Sequence, residues 1–282
     1  MAKKSVAKDI EQFVLDQEAK GKSEGTIKTY TRIIQEFMDW LEKNGGDIHQ
    51  LTRIDVQQYI KHLERRGNSA STIENKFAAL SVFTYYLGRT DTLQYIRKPE
   101  SRKIRNIAPK SLDRNERNRI LREVERSKKT RNIAIVYMLF YTGLRVSEIV
   151  ALNREDVFMG ERSGSVLVRK GKGDVSRKIP LPVEARIHLN QYLETREDDD
   201  PALFLSNYNK RITIRSVQRI LEKYGVHPHQ LRHTYCRELV GAGVDIATVA
   251  ELAGHADINI TRRYSKPSND ELEEAIEKIF GL

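Results

Sequence analysis

Apolar residues recur at steps of three and four through the first third of the chain, which is the spacing of one face of an α-helix. The longest such stretch begins after Ser23, a residue type that favours helix N-caps, and ends at Gly45-Gly46. Shorter stretches follow at 54–63 and 69–87, and an apolar segment precedes them all. This pattern predicts a bundle of four or five helices over residues 1–95.

Two of these stretches resemble each other at an offset of 46 residues. Serine, threonine and isoleucine recur at matching places, as do an aromatic and a leucine further along: Ser23/Ser69, Thr26/Thr72, Ile27/Ile73, Phe37/Phe83 and Leu41/Leu87. A solenoid needs three or more stacked units, so we expect two helices that are built alike within one bundle.

The second half of the chain predicts a mixed domain over residues 111–282. Two stretches of alternating apolar residues, 165–170 and 176–181, flank a G-K-G-D turn and predict a β-hairpin. Helical spacing surrounds the hairpin at 112–127, 131–142, 145–152, 183–195, 213–224, 229–240, 246–253, 258–265 and 269–280. The fold class is therefore mostly α with a small β-sheet, as a helical bundle followed by an α+β domain.

A strongly basic segment, residues 96–110, joins the two predicted domains. It contains one acid, Glu100, and six basic residues: Arg97, Lys98, Arg102, Lys103, Arg105 and Lys110. Prolines at 99 and 109 and the absence of an apolar stripe indicate an extended linker. The segment is either a solvated linker without a ligand or a strap that lies along a phosphate backbone.

Composition narrows the class of protein. The chain has 49 basic and 39 acidic residues, and the net charge of +10 favours a nucleic-acid partner. The single cysteine, Cys236, excludes an internal disulfide and makes a cysteine-based zinc site implausible. No apolar run is long enough for a membrane span, and no signal peptide is recognisable at the start, so we expect a cytoplasmic protein without a membrane partner.

Two basic residues occupy unusual places. In T-G-L-R-V-S-E, Gly143 ends one helix and puts Arg145 in the first turn of the next. A cation there opposes the helix dipole, so an anion elsewhere is the better reason for it. Lys172 lies at the tip of the predicted hairpin with a glycine on each side, where an ordinary exposed lysine is the simplest interpretation.

The segment H-P-H-Q-L-R-H at 227–233 allows more than one interpretation. His229 and His233 are four apart on one helix face, as in some zinc sites. Zinc is disfavoured because Gln230 stands where the zincin motif has glutamate, and because Arg232 would repel a dication. A second interpretation is that His229 and Arg232 point two donors at one oxyanion. A third, an ordinary place in the core, fits His233 well and Arg232 badly.

One more segment, A-G-H-A-D-I-N-I-T-R-R-Y at 253–264, contains His255 and, nine residues later, Tyr264. With these residues the sequence resembles the tyrosine recombinases, or integrases, and most closely the Xer-type chromosome-dimer resolvases. The residues that carry the resemblance are an arginine, a hairpin lysine, a His-x-x-Arg motif, a second histidine and a tyrosine nine residues later: Arg145, Lys172, His229, Arg232, His255 and Tyr264. The family often has Leu-Gly-His before the second histidine, and here the residues are Ala253-Gly254-His255. The resemblance covers nearly the whole chain.

The resemblance implies a role for each of these residues. Arg145, Arg232 and His255 would stabilise the charge that develops on a phosphodiester under attack. Tyr264 would be the nucleophile, His229 the base or proton relay, and Lys172 the general acid for the leaving 5′ oxygen. Glu148 would hold Arg145 or a neighbouring donor in place. No metal, ATP or other cofactor is expected.

The resemblance also implies an assembly. Residues 1–95 would be a SAM-like core-binding domain that binds double-stranded DNA with a specific recombination site, and residues 111–282 the catalytic domain. The resemblance favours docking of a helix over residues 269–282 into a neighbouring protomer, and packing on its own domain is the alternative. The protein would be a homotetramer on two duplexes, and a monomer or dimer when free, that exchanges strands through a 3′-phosphotyrosyl intermediate and a Holliday junction.

Several alternatives remain open at this stage. The resemblance favours the resolution of chromosome or plasmid dimers, but integration of a mobile element uses the same chemistry. A type IB topoisomerase also shares the set of catalytic residue types. A non-enzymatic DNA-binding regulator would use a helix-turn-helix ending at Ile258–Tyr264, but this interpretation leaves Arg145, Lys172 and His229 without a role.

Overall fold

The computed structural model describes residues 2–100, 110–169, 176–255, 257–264 and 276–277. They fall into two compact units, one within residues 1–104 and the other within residues 105–282. Each unit has its own buried apolar core.

The N-terminal unit is built from four amphipathic helices and short 3-10 turns. The helices are α1 (Ala2–Ala19), α2 (Glu24–Lys43), α3 (Arg53–Arg65) and α4 (Ala70–Tyr86). Their apolar faces meet in a core that contains Phe13, Phe37, Tyr59 and Phe83, each almost fully buried. The phenyl rings of Phe13 and Phe83 meet edge to face with their centroids 5.2 Å apart, which joins the first helix to the last.

The two helices with similar sequences have the same type of start. Ser23 caps α2 by accepting a hydrogen bond from the backbone N–H of Thr26, and Ser69 caps α4 by accepting one from Thr72. Each cap satisfies an N–H that the helix itself leaves without a partner. The prediction of two helices built alike is thus confirmed at their N-termini.

The C-terminal unit surrounds one nearly buried helix. In the part of this unit that the structure describes, the helices are α5 (Arg114–Arg126), α6 (Thr130–Thr142), α7 (Val146–Ala151), α8 (Val183–Leu193), α9 (Ile214–Glu222), α10 (Pro228–Gly241), α11 (Ile246–Ala253) and α12 (Ile258–Arg262). Helices α5, α8 and α10 pack around α6 and bury nearly all of it. Its apolar sequence suits a helix that is buried on all sides.

A small antiparallel sheet lies within the same unit. Its described strands are β1 (Val157–Met159), β2 (Gly164–Val168) and β3 (Arg177–Pro180), in the order β1-β2-β3. Val166 pairs with Val157 on one side and with Ile179 on the other. The predicted pairing of β2 with β3 is confirmed, whereas β1 was not predicted.

The fold class is confirmed as mostly helical with a small sheet. Predicted helices and observed helices agree to within a few residues from α5 to α12. Of the predicted helix over 269–280, the structure describes only Ile276 and Glu277, which are helical. Within the described residues, no helix combines the length and the apolar character needed to cross a membrane.

Candidate active site

The first arginine of the predicted set lies between two helices. Gly143 ends α6 in the left-handed conformation with φ of 60°, and Arg145 is the N-cap of α7. Arg145 therefore precedes the first turn, which corrects the prediction that it lies within that turn. It also has a local partner, because its Nη1 donates to Oε1 of Glu148 at 2.8 Å and its backbone N–H donates to Oε2 at 2.7 Å.

Glu148 holds a second arginine as well. Arg177 on β3 donates from Nη1 and Nη2 to the two Glu148 oxygens at 3.0 and 2.9 Å. The Arg177 side chain is 5% exposed and that of Glu148 is 10% exposed, so this ion pair is almost dry. Burial by itself raises the pKa of Glu148, but the hydrogen bonds from Arg177 and Arg145 outweigh it, and the pKa lies below its ordinary value.

Arg232 lies in the interior on α10. Its guanidinium is buried and donates from Nη1 to the backbone carbonyl of Gly143 at 2.7 Å. Burial, followed by the positive charge of Arg145, lowers the pKa of Arg232. Arg232 nevertheless stays charged, because an arginine does not lose its proton at accessible pH.

Backbone carbonyls at two helix ends orient these arginines. Arg145 donates from Nη2 to the carbonyl of Gly254 at 2.6 Å, while Arg232 uses the carbonyl of Gly143. Both glycines are left-handed C-caps, Gly143 of α6 and Gly254 of α11. The negative end of a helix dipole thus faces each guanidinium, which stabilises the cation.

His255 follows Gly254 directly, and its imidazole lies within electrostatic range of Arg232 and Arg145. Its Nδ1 is 2.7 Å from Oγ1 of the buried Thr261 on α12. Burial lowers the pKa of His255 to about 4, and the charges of Arg232 and Arg145 contribute to the shift. His255 is therefore neutral at pH 7 and acts there as a hydrogen-bonding group rather than as a cation.

His229 lies near the start of α10, one turn before His233. The side chain is exposed, and burial of part of the ring, followed by the charge of Arg232, lowers its pKa. The helix starts with His227 as the N-cap, whose Nδ1 accepts from the backbone N–H of Gln230 at 3.2 Å. Pro228 at the first helical position also favours a helix start at this place.

Tyr264 lies just after α12, and its side chain is largely buried. The residue is 9% exposed and packs in a small cluster with Cys236, Val249 and Ala253. Its hydroxyl group is hydrogen-bonded to Nδ1 of His233 on α10. Burial raises the pKa of the Tyr264 phenol, and the nearby Arg232 and Arg263 offset only part of that rise.

The structure therefore brings together five of the six residues that the resemblance identified. Arg145, His229, Arg232, His255 and Tyr264 come from α7, α10 and the ends of α11 and α12. Lys172 lies outside the described residues, and so do Arg102, Lys103 and Arg105 of the basic segment.

Arg97 and Lys98, at the start of the basic segment, are held against the N-terminal helices. Gln57 of α3 donates from Nε2 to the Arg97 carbonyl at 2.9 Å, and its Oε1 accepts from the Arg97 backbone N–H at 2.8 Å. The Lys98 ammonium lies 4.3 Å from the centre of the Phe77 ring. Both basic side chains are exposed.

Two polar contacts in the site were not predicted from the sequence. In the sequence, Arg177 occupies an ordinary polar position of a predicted strand, and His233 has the pattern of a histidine in the core. Their partners, Glu148 and Tyr264, are 29 and 31 residues away, so no local spacing signals either contact.

The arrangement suits an anion rather than a metal ion. Arg145, Arg177 and Arg232 give three positive charges and Glu148 gives one negative charge, so these four side chains have a net charge of +2. Within the described residues, no cluster of three or more histidine, cysteine or acidic side chains could hold a metal. The planar guanidinium can bind the oxygens of a phosphate group in a bidentate manner, as it does those of a carboxylate.

Comparison with protein families and curated proteins gives matches along most of the chain. Residues 110–271 match the phage integrase family, and residues 10–92 match the phage integrase N-terminal SAM-like domain. The tyrosine recombinase XerA of Pyrococcus furiosus is 33% identical over 278 residues, which cover 95% of this chain and 93% of that protein. XerC of Thermodesulfovibrio yellowstonii is 30% identical over 284 residues, covering 93% of this chain and 92% of that protein.

Solved structures show the same fold. The XerA recombinase crystal structure is 25% identical, covers 98% of this chain and 99% of that one, and has a TM-score of 0.53. XerH bound to its difH substrate has a TM-score of 0.68 at 22% identity, covering 88% of this chain and 78% of that one. The Tn1549 transposon integrase in complex with a circular intermediate DNA has a TM-score of 0.71 at 20% identity, covering 96% and 99%.

Proposed function

Because the chain belongs to the phage integrase family and is a site-specific tyrosine recombinase of the Xer type, we propose that it cuts and rejoins DNA through a bond between Tyr264 and a 3′ phosphate. The observation that carries this proposal is that Arg145, Arg232 and His255 lie close enough to act on one another electrostatically, and that Arg232 also acts on the Tyr264 phenol. These residues come from separate elements, and the positive charge of the two arginines supports a role in binding one phosphodiester, with Tyr264 as the nucleophile.

The two arginines supply the charge that the reaction needs. In-line attack on phosphorus places additional negative charge on the nonbridging oxygens, and fixed donors in a dry site stabilise this charge strongly. Arg145 and Arg232 are held by backbone carbonyls before DNA arrives, so little reorganisation is needed. His255, neutral at pH 7, adds a hydrogen bond to the same oxygens.

Proton transfer requires two further groups. The Tyr264 phenol keeps its proton in the free protein, since burial raises its pKa, and therefore needs an acceptor during attack. We assign His229 to this proton transfer, as base or relay. We assign Lys172 to protonation of the leaving 5′ oxygen, a role that suits a lysine between two glycines.

The reaction is balanced without ATP or a metal. The bond from Tyr264 to phosphorus forms as the bond to the 5′ oxygen breaks, so the phosphodiester energy is kept in the phosphotyrosyl link. Attack by a 5′ hydroxyl from the partner duplex reverses the step and joins the exchanged strands.

The remaining parts of the chain are assigned to DNA and to assembly. Residues 1–95 form the core-binding domain, and residues 96–110 form a basic strap along the phosphate backbone. Arg97 and Lys98 begin this strap in a fixed position, since Gln57 holds the Arg97 backbone at both of its polar groups. The helix over 269–282 docks into a neighbouring protomer, and four protomers on two duplexes exchange strands through a Holliday junction.

We assign the protein to the cytoplasm and to the resolution of chromosome or plasmid dimers. This role follows the resemblance of the sequence to the Xer-type resolvases, and two of the similar relatives are named XerA and XerC.

The first experiment is a suicide-substrate cleavage assay. Wild type and Tyr264→Phe are incubated with nicked duplexes that carry candidate inverted-repeat sites, drawn from a chromosomal fragment library. Denaturing gels are then read for covalent protein–DNA bands. We expect a band with a 3′-linked phosphate for wild type and none for Tyr264→Phe, while both proteins bind DNA equally.

Other outcomes identify other functions. Covalent bands of equal strength on every duplex, with relaxation of supercoiled DNA, would indicate a topoisomerase. If wild type forms no band on any fragment while binding DNA tightly, the chain is a DNA-binding regulator and the proposal is wrong.

A further inference from the structure

The hydroxyl group of Tyr264 has a specific partner that the proposed roles do not use. Nδ1 of His233 is within hydrogen-bond distance of that hydroxyl, and the two ring centroids are 5.8 Å apart. His233 is half-buried and directly follows Arg232 on α10, so the two side chains leave the helix in different directions. Arg232 reaches the Gly143 carbonyl, and His233 reaches Tyr264.

We propose that His233 is a further catalytic residue, which accepts the proton of Tyr264 as the phenol oxygen attacks phosphorus. This inference rests on the proposed function and deepens it. As the Oη–phosphorus bond forms and the bond to the 5′ oxygen breaks, the proton moves from Oη to Nδ1, and His233 becomes an imidazolium. Rejoining returns this proton to Tyr264 when the phosphotyrosyl bond breaks.

The geometry gives the two histidines of α10 different positions on the proton path. His233 contacts the reacting oxygen, whereas the His229 ring lies 6.4 Å from the His233 ring, centroid to centroid, and is exposed. For Nδ1 to accept the proton, the neutral imidazole must carry its hydrogen on Nε2. His229 then serves as the link between His233 and solvent, not as the direct base.

The charges around the pair keep the proton on Tyr264 until DNA binds. Burial, followed by the charges of neighbouring groups, lowers the pKa of His233 to about 4, and burial raises the pKa of Tyr264. The titratable and charged groups that act on His233 from the elements around it are His227, His229, Arg232, His255, Arg263 and Tyr264.

A bound phosphodiester changes this balance. A phosphate bound to Arg232 brings negative charge close to His233. This charge offsets the positive charges around His233 that disfavour its imidazolium form. The phenol also loses its basicity as its oxygen becomes an ester oxygen, so transfer to His233 becomes favourable during attack. The base therefore works only when the substrate is in place.

The test measures the single-turnover rate of covalent complex formation on a nicked duplex that the wild-type protein cleaves. His233→Asn keeps an amide oxygen near the position of Nδ1, so it can accept the hydrogen bond but cannot take the proton. We expect this variant to cleave at least about 10²-fold more slowly than wild type. His229→Asn should lose less, because a relay to solvent can be bypassed by water.

Two further arms separate proton transfer from a purely structural role. Exogenous imidazole should restore part of the rate to His233→Ala, whose side chain leaves room for it. A ring-fluorinated tyrosine at position 264, whose phenol is more acidic, should reduce the loss that His233→Asn causes. His188→Asn on α8, a half-buried histidine outside the site, is the matched control and should cleave like wild type.

The outcomes are distinguishable. If wild type cleaves and His233→Asn cleaves at the same rate, the inference is wrong and the proposed function stands. The same holds if imidazole restores no rate to His233→Ala and the fluorinated tyrosine does not reduce the loss in His233→Asn. If His229→Asn loses more than His233→Asn, His229 is the direct base and the inference is also wrong. If wild type forms no covalent complex on any duplex, the proposed function fails, and this inference fails with it.

Discussion

Glu148 holds two of the three guanidinium groups of the site. Replacing it by glutamine removes the carboxylate that pairs with the buried Arg177 and takes one anchor from the Arg145 side chain. Breaking a buried ion pair by removing one partner costs about 3–5 kcal/mol. We expect Glu148→Gln to lower the free energy of unfolding in urea by this amount, and to slow cleavage as well.

The matched control is Glu155→Gln, which breaks the exposed pair with Arg169. The side chains of that pair are 66% and 59% exposed, so a loss of at most about 1 kcal/mol is expected.

The pKa of Glu148 lies below its ordinary value, so its contribution to stability is complete above about pH 4.3 and declines as the pH falls further. The stability difference between wild type and Glu148→Gln should therefore shrink toward pH 3, and a difference that stays constant would contradict this account.

At the scale of single residues, the sequence identifies candidate site residues but does not predict which residues contact each other. The identities of Arg145, Arg232, His255 and Tyr264 followed from residue types in a characteristic order. The contacts of Arg177 and His233 depend on how β3 and α12 pack against other elements. A buried arginine in a short strand is indistinguishable in sequence from an exposed one until its carboxylate partner is known.

At the scale of elements, the end of α11 holds two arginine side chains. Arg145 donates to the carbonyl of Gly254 there, and Arg177 donates to the carbonyl of Leu252. Gly254 has φ of +67°, and a Cβ atom there would come within 2.6 Å of Arg177 Nη1. We expect Gly254→Ala to cost about 1–2 kcal/mol for the left-handed backbone and about 1–3 kcal/mol more for the displaced guanidinium. Urea denaturation measures the sum, and the suicide substrate measures the accompanying loss of cleavage.

Gly243→Ala separates the two contributions. Gly243 also has a positive φ, +81°, but a Cβ atom there would meet nothing within 4 Å. This variant should show only the backbone cost and should keep the wild-type cleavage rate. Equal losses for both variants would mean that the contact with Arg177 is not important for the site.

Elements with strong local signals were predicted well. Helices with a side-chain cap and a long apolar face, such as α2 and α4, begin where the sequence predicts. Strand β1 was missed because three residues, Val157–Met159, are too few to show an alternating pattern. It is a strand because β2 offers a paired edge, which is a property of the tertiary structure.

At the scale of the whole molecule, the net charge of +10 predicts DNA binding that weakens steeply with salt. Between about 50 and 200 mM salt, a protein with about 6–10 phosphate contacts loses about 10³–10⁵ in affinity, because condensed counterions return to the DNA. Titrations of a labelled duplex at several salt concentrations give the slope of log Kd against log salt. We expect Arg97→Gln to reduce this slope by about 0.9, the value of one phosphate contact.

Arg119→Gln is the comparison for this experiment. Arg119 is ion-paired with Glu123 on the same helix at 2.8 Å, so its charge is already balanced, and its loss should leave the slope unchanged. A slope that stays at the wild-type value in Arg97→Gln would mean that the start of the basic segment does not contact the backbone.

The two helix-end carbonyls that orient Arg145 and Arg232 have a consequence for how the sequence can evolve. Every residue type has a carbonyl oxygen, so no side-chain substitution can delete these two acceptors. What mutation can change is the local backbone path, which depends on glycine at 143 and 254, where a Cβ atom would also collide with Tyr235 and Arg177 respectively. A saturation-mutagenesis map of the site should therefore show that positions 143 and 254 tolerate no substitution, although neither glycine takes part in the chemistry. Glycine at these two positions is then what preserves the orientation of the phosphate-binding arginines among related sequences.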